Sequence, residues 1–184
     1  MTIPAIACLA GRRIDPVDSE KSTFPLNRAP AVGEAIVAAL MERKIARLVC
    51  AAACGADILA LEACEALAIP ATIILPFPVD EFREVSVIDR PGDWGPRFDK
   101  VIARARAQSD LIELGYESTG QEGFLEANQE IVSRVLGTNA REKFAFVVWD
   151  GSARGEGDFT ADLAEHAGAE GLTVIEILTM EHTR

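Results

Sequence analysis

Two adjacent arginines, Arg12 and Arg13, close an apolar run and precede a polar stretch. A guanidinium offers a planar fork of donors that matches phosphate bidentately, so the pair marks a place where an anion can be held. Salt bridging to Asp15 or Asp18 is the competing use. A second group, Cys54-Gly55-Ala56-Asp57, combines small residues that let a ligand touch backbone with a carboxylate at the start of a helix. That carboxylate serves a ligand or simply complements the helix dipole. A third group is Pro76-Phe77. The fourth and longest runs from Trp149 to Thr160, with Asp150, Gly151, Gly155 and Gly157 between them. A Gly-rich turn from strand to helix permits close backbone approach, and free N–H groups of the first helical turn hold phosphate or another anion. Its acids Asp150, Glu156 and Asp158 oppose phosphate and suit ribose hydroxyls or a base edge; a solvated loop capped by Asp158 is the plain alternative. Arg97 stands in the first turn of a helix, against the dipole, which singles it out as a ligand candidate. Trp94, Phe98 and Trp149 offer faces to a purine, with ordinary packing as the alternative for each.

No nucleophile–histidine arrangement can be assembled, because His166 falls mid-helix and His182 in the tail. Cys50 and Cys54 lack a second cysteine pair or a nearby histidine, so neither a metal nor another cofactor is expected. Three of the four cysteines sit in aliphatic runs and behave as small buried hydrophobes, which points to a reducing, cytoplasmic compartment.

The elements that must position these groups alternate regularly. Residues 3–10 form a nearly continuous apolar run that predicts a strand covered on both faces. Residues 14–28 lack any period and read as a long loop, followed by a helix over 31–44. A strand over 45–53, an alanine-rich helix over 55–67 and a strand over 71–75 complete a β–α–β–α–β unit. Helices over 80–87 and 96–108, a strand over 110–114 and a helix over 124–136 come next. The last elements are a strand over 143–149, a helix from about 158 to 168 and a strand over 172–178. Such alternation predicts an α/β, Rossmann-like, doubly wound and mainly parallel sheet with helices on both faces, a three-layer α/β/α domain. Ligands bind such sheets beyond the carboxyl ends of the strands, where all four groups fall.

The chain has 184 residues, about one domain's worth, and 49% of them are hydrophobic. Its net charge is −11, with −3 in residues 1–100 and −8 in 101–184. That acidity disfavours long nucleic acid as a partner, and 6% aromatic content is too little for a base-stacking platform. The unevenness leaves room for a locally positive pocket in the first half. No apolar stretch reaches membrane-spanning length, so no membrane partner is expected.

AGRRID after the first strand, AAACGADILALEACEALAIPATIILPFPVDEFREVSV, WGPRFDKVIARA and FAFVVWDGSARGEGDFTADLAEHA together resemble the SLOG superfamily of Rossmann-like domains. That superfamily includes the LOG-type phosphoribohydrolases, the Smf/DNA-processing proteins and bacterial sensor domains; the pattern here is most similar to sensor-type and uncharacterised members. The resemblance spans residues 5–178 and implies one SLOG-like domain over 1–184. It implies a nucleotide pocket with Gly11, Arg12, Cys54, Gly55, Ala56 and Asp57 on one side. Pro76, Phe77, Trp149, Asp150, Gly151, Gly157 and Thr160 form the rest, while Glu62, Phe82, Ser86, Trp94, Arg97 and Phe98 match family positions without an assigned role. The hydrolytic members carry Pro-Gly-Gly-x-Gly-Thr-x-x-Glu, and here Leu163 occupies the Glu position. Asp162 falls one residue early, a rotation of about 100° on a helix.

The expected function is therefore binding, in a sensing role, of a nucleotide or nucleotide-derived small molecule. A LOG-type nucleoside 5′-monophosphate phosphoribohydrolase or N-glycosidase is the alternative, and a non-catalytic protein-interaction module the second. A homodimer is also implied by the resemblance, with the helices over 31–44 and 124–136 as candidate interfaces.

Overall fold

The computed structural model describes residues 4–181, so Ile3 and His182 lie outside the described residues. The apolar runs become strands β1 (Ala5–Gly11), β2 (Leu48–Cys50), β3 (Ala71–Leu75), β4 (Leu111–Glu113), β5 (Glu142–Trp149) and β6 (Thr173–Leu178). They form one all-parallel sheet in the order β4-β3-β2-β1-β5-β6. The helices between them are α1 (Ala29–Glu42), α2 (Ala56–Ala66), α3 (Val79–Ser86), α4 (Trp94–Gln108), α5 (Glu122–Leu136) and α6 (Phe159–Ala169).

Strand alternation divides the core into two layers. Ala5, Ala7 and Leu9 of β1 pack with Val32, Ile36 and Leu40 of α1, the buried face of α2, and Phe98, Val101 and Ile102 of α4. Ile6 and Cys8 point the other way, against Ala127, Ile131 and Val132 of α5 and Leu163 and Ala167 of α6. The result is the three-layer α/β/α, Rossmann-like arrangement. Because central strands are covered on both sides, their sequence is apolar at successive positions rather than alternating.

Two differences from the sequence expectation have local causes. β2 spans three residues instead of nine: at its start the Ile45 N–H still donates to the Leu40 carbonyl of α1 at 3.0 Å, and at its end the chain leaves the ladder after Cys50. The Ala53 N–H donates to the Asp57 carboxylate and the Cys54 N–H to the Ser86 carbonyl, at 3.1 and 3.0 Å. Helix α4 starts at Trp94, ahead of Pro96, where the Trp94 indole N–H donates to the Pro91 carbonyl at 2.9 Å and anchors the first turn. The apolar stripes of α1 and α5, read as candidate dimer faces, are taken up by the chain's own sheet. Among the described residues, no helix is long and apolar enough to cross a membrane.

Candidate ligand-binding site

From β1 the chain moves outward through β2, β3 and β4, then returns to pair β5 with the other side of β1. The connections therefore diverge between β1 and β5, the place where open α/β sheets take ligands. A cavity of about 500 Å³ opens there, at the carboxyl ends of the strands. Its floor is the end of β1 with Asp57 at the start of α2. One wall is Phe82, Val85 and Ser86 of α3 with Arg90 beyond it; another is Phe124, Ala127, Asn128 and Ile131 of α5. Arg154 and the run from Glu156 to Thr160 close the rim. Phe124 stacks on Phe159 at 4.6 Å between centroids and meets Phe77 edge-on at 5.0 Å, giving the α5 wall a rigid aromatic backing.

Of the residues expected to bind a ligand, Gly11, Arg12, Arg13, Asp57, Pro76, Gly157 and Thr160 line this cavity, and so do Asp15, Glu156 and Asp158. Arg12 does so with its donors already committed. Its Nε donates to Asp150 at 3.2 Å, and Nη1 and Nη2 reach the two oxygens of Asp158 at 2.5 and 2.9 Å. Nη2 also donates to the Ser152 carbonyl at 2.6 Å. The Arg12 side chain is 3% exposed and that of Asp158 1%. The salt bridge weighed in the sequence to Asp15 or Asp18 thus forms with two acids of the Gly-rich loop instead. Burial alone would raise the carboxyls of Asp150 and Asp158, yet both are held below the usual range. Hydrogen bonds from the Ser152 hydroxyl and Arg12 outweigh burial at Asp150; those from Arg12 and the backbone N–H groups of Ala161 and Arg154 do so at Asp158. Asp158 is also the N-cap of α6, so Arg12 fixes that helix's first turn rather than presenting a free fork to an anion.

Several expected residues are engaged by the chain itself. Arg13 pairs with Asp89 at 2.9 Å in a half-exposed bridge at the cavity edge. Arg97 reaches across from α4 to Glu62 of α2 with two bonds of 2.8 and 2.6 Å and lies over the Trp94 ring at 4.1 Å. Its unfavourable place against the dipole is explained by that ion pair, and the structure does not bring it into the cavity. Phe77 is fully buried among Phe82 and Phe124. Trp149 donates to Glu176 of β6 at 3.1 Å and lies outside the cavity lining. Cys54 and Ala56 are buried and Gly55 serves the chain itself: at φ 94°, a Cβ there would stand 2.8 Å from the Arg12 carbonyl oxygen and 2.9 Å from the Ile14 nitrogen. Gly151 and Gly155 also have positive φ, 81° and 90°, and shape the loop without lining the cavity.

Sequence reasoning missed Arg90 and Arg154. Arg154 donates to the Thr23 hydroxyl rather than to a carboxylate among the described residues, and burial together with the Arg12 cation draws its guanidinium below the ordinary value. Arg90 bridges to Asp89 through Nη1 at 3.0 Å, while its buried Nε has no partner. Asp57 is the complementary case: Oδ2 accepts from the Ala53 N–H at 3.1 Å and the buried Oδ1 has no partner. Burial pushes the Asp57 carboxyl up to about 7, against the pull of the Ala53 N–H and of Arg13. Among the described residues, Arg90 Nε and Asp57 Oδ1 are the two buried side-chain polar atoms left without a partner, and both belong to residues lining this cavity. Phe82 and Ser86, singled out in the sequence without an assigned role, stand four apart on one face of α3 and line the cavity.

Leu163 of α6 is fully buried in the core. Asp162 accepts from Asn128 Nδ2 at 2.7 Å, while the same amide donates to the Phe159 carbonyl at 2.8 Å, tying α5 to α6.

No family model matches the chain, and no curated protein does. Among solved structures, the chain is similar to that of DNA processing protein A (DprA) from Streptococcus pneumoniae, with a TM-score of 0.43 and 16% identity. The match covers 94% of this chain and 58% of that one, so the chain spans little more than half the length of that structure.

Proposed function

We propose that this chain binds a nucleotide or nucleotide-derived small molecule, of the nucleoside monophosphate class, in the cavity between the ends of β1 and β5. The observation that carries the reading is that one buried donor, Arg90 Nε, and one buried acceptor, Asp57 Oδ1, lack partners and both come from residues lining one cavity. Buried polar groups in folded chains are otherwise satisfied, so such a pair is suited to a ligand carrying both an acceptor and a donor. Arg154, with a hydroxyl as its side-chain partner, adds cationic donors for a phosphate; Phe82, Phe124 and Ile131 supply the apolar wall a base needs. About 500 Å³ is room for one nucleoside monophosphate. Binding without hydrolysis is favoured by the core position of Leu163 and by the engagement of Asp162 with Asn128.

The test is thermal shift followed by calorimetry with nucleoside 5′-monophosphates, cyclic nucleotides and NAD-derived nucleotides. Stabilisation by at least one member, weakened by Arg154→Ala and by Arg90→Ala, is the expected result. A panel without any stabilising member overturns the reading; release of free base from a bound monophosphate would replace it with the N-glycosidase reading.

A further inference from the structure

Asp57 is 6% exposed, in the first turn of α2, and lines the cavity floor; one of its oxygens is held by the Ala53 N–H and the other is buried without a partner. A carboxylate oxygen in that position is an unmet acceptor, and a ligand lacking a donor there leaves it so, which is how buried polar groups discriminate strongly between close analogues. We propose that Asp57 is the specificity-determining residue of this cavity, accepting a hydrogen bond from an uncharged N–H or O–H of the ligand while Arg90 takes the ligand's anionic end. The inference rests on the nucleotide reading above and adds to it which end of the ligand is read and by what.

Three features favour a donor on the ligand over an acceptor. Oδ2 already accepts from backbone, so the group is arranged as an acceptor. It lies at a helix N-terminus, where the dipole favours the anion. Arg13 also acts on it as a cation. The other charged groups facing the cavity are Asp15 from the turn after β1, Arg90 after α3, and Arg154 and Glu156 from the Gly-rich loop. Arg12 and Asp158 are closed on each other, and the Cys50 thiol of β2 is pushed far up by burial and stays neutral. Asp15 accepts from the backbone N–H groups of Thr23 and Phe24 and from two hydroxyls, so it is already satisfied.

With its carboxyl near 7 in the free protein, Asp57 binds a proton at pH 6 that a donor ligand must displace to solvent. Affinity then rises with pH until Asp57 is ionised in the free protein, by about tenfold between pH 6 and pH 8 when binding returns the group to an ordinary value. A phosphomonoester titrates in the same range, so the quantity to read is the difference between wild type and Asp57→Asn, which subtracts it.

The experiment is calorimetry at both pH values, in two buffers of different ionisation enthalpy, with adenosine 5′-monophosphate, its 2′,3′-dideoxy analogue and inosine 5′-monophosphate. Wild type is expected to release a proton on binding at pH 6 and to lose about tenfold or more in affinity for whichever analogue lacks the donor, the dideoxy compound for a sugar hydroxyl or the inosine compound for the base amine. Asp57→Asn is expected to flatten the extra pH dependence and shrink that discrimination to about twofold, while Arg90→Ala weakens all three ligands alike. The ligand arms need only wild-type protein, so a misfolded variant leaves the test intact. Equal affinity of wild type for all three ligands, or an excess affinity at low pH in wild type alone, overturns the Asp57 assignment and leaves nucleotide binding standing. No binding of these three, together with no stabilising member in the wider nucleotide panel, overturns both.

Discussion

Replacing Arg12 with methionine keeps most of the side-chain volume and removes every donor that Asp158 and Asp150 receive from it. Asp158, with 1% of its side chain exposed, retains the N–H groups of Arg154 and Ala161 but loses its counter-ion. Removing one partner from a buried, hydrogen-bonded ion pair costs about 3–5 kcal/mol, because the remaining charge stays buried. For a domain of this size that corresponds to a fall in Tm of about 6–20 °C. Thermal and urea unfolding followed by circular dichroism measure it. Arg12→Lys, which supplies a single point donor instead of a fork, is expected to recover about half of the loss. Arg12→Met combined with Asp158→Asn should be less destabilised than the two single changes summed, since the second change removes the stranded charge. A loss below about 1 kcal/mol, or unchanged stability with abolished nucleotide binding, would refute the assignment of Arg12 to loop positioning and return it to the ligand.

Three further outcomes follow from the same geometry. Because the Asp57 carboxyl is near 7 in the folded chain against an ordinary 3.8, the folded state holds the extra proton between those values; the contribution of Asp57 to stability is full below the lower one and is lost as pH rises through 7. Between about pH 5 and pH 8 that loss is on the order of 2 kcal/mol, measurable by urea unfolding and absent in Asp57→Asn. Gly55→Ala combines positive φ with a Cβ 2.8 Å from the Arg12 carbonyl oxygen, so it is expected to lower Tm by at least about 4 °C, whereas Gly155→Ala, with open space around it, carries only the backbone term of about 1 kcal/mol. Arg97→Ala removes a partly exposed ion pair with Glu62 and is expected to cost about 1 kcal/mol in denaturation while leaving nucleotide affinity unchanged in calorimetry.

The layering was legible because central strands are buried on both faces and the helices between them carry apolar stripes: the run 71–75 became β3 residue for residue, and β5 and β6 differ by one residue at one end. The shortness of β2 was not legible, since Ala51, Ala52 and Ala53 suit a strand; a hydrogen bond from Ala53 to a side chain four residues on is what ends it. The site was legible as a set of strand-to-helix junctions but not as a set of pairings. Arg12 and Asp158 are 146 residues apart, and nothing local distinguishes an arginine facing an anion from one already closed on a buried acid. The same holds in reverse for Arg90 and Arg154, which read as loop residues until burial by other segments gives their donors a place to point. Arg97 shows how a local rule broken in sequence can be repaired by a neighbouring helix rather than by function.

The meeting of β1 with α2 sets how this cavity can change shape. A Cβ on Gly11 would come within 2.3 Å of the Ala56 Cβ, and one on Gly55 would run into the backbone of Arg12 and Ile14, so strand and helix touch main chain to main chain there. That side of the cavity is a fixed jaw. The opposing jaw is the loop through Gly151, Gly155 and Gly157, with open space at Gly155, held from below by Arg12 and tied to Thr23 by the guanidinium of Arg154. Substitution is therefore accommodated more readily at that rim than at the floor that carries Asp57, which stays in register with the sheet.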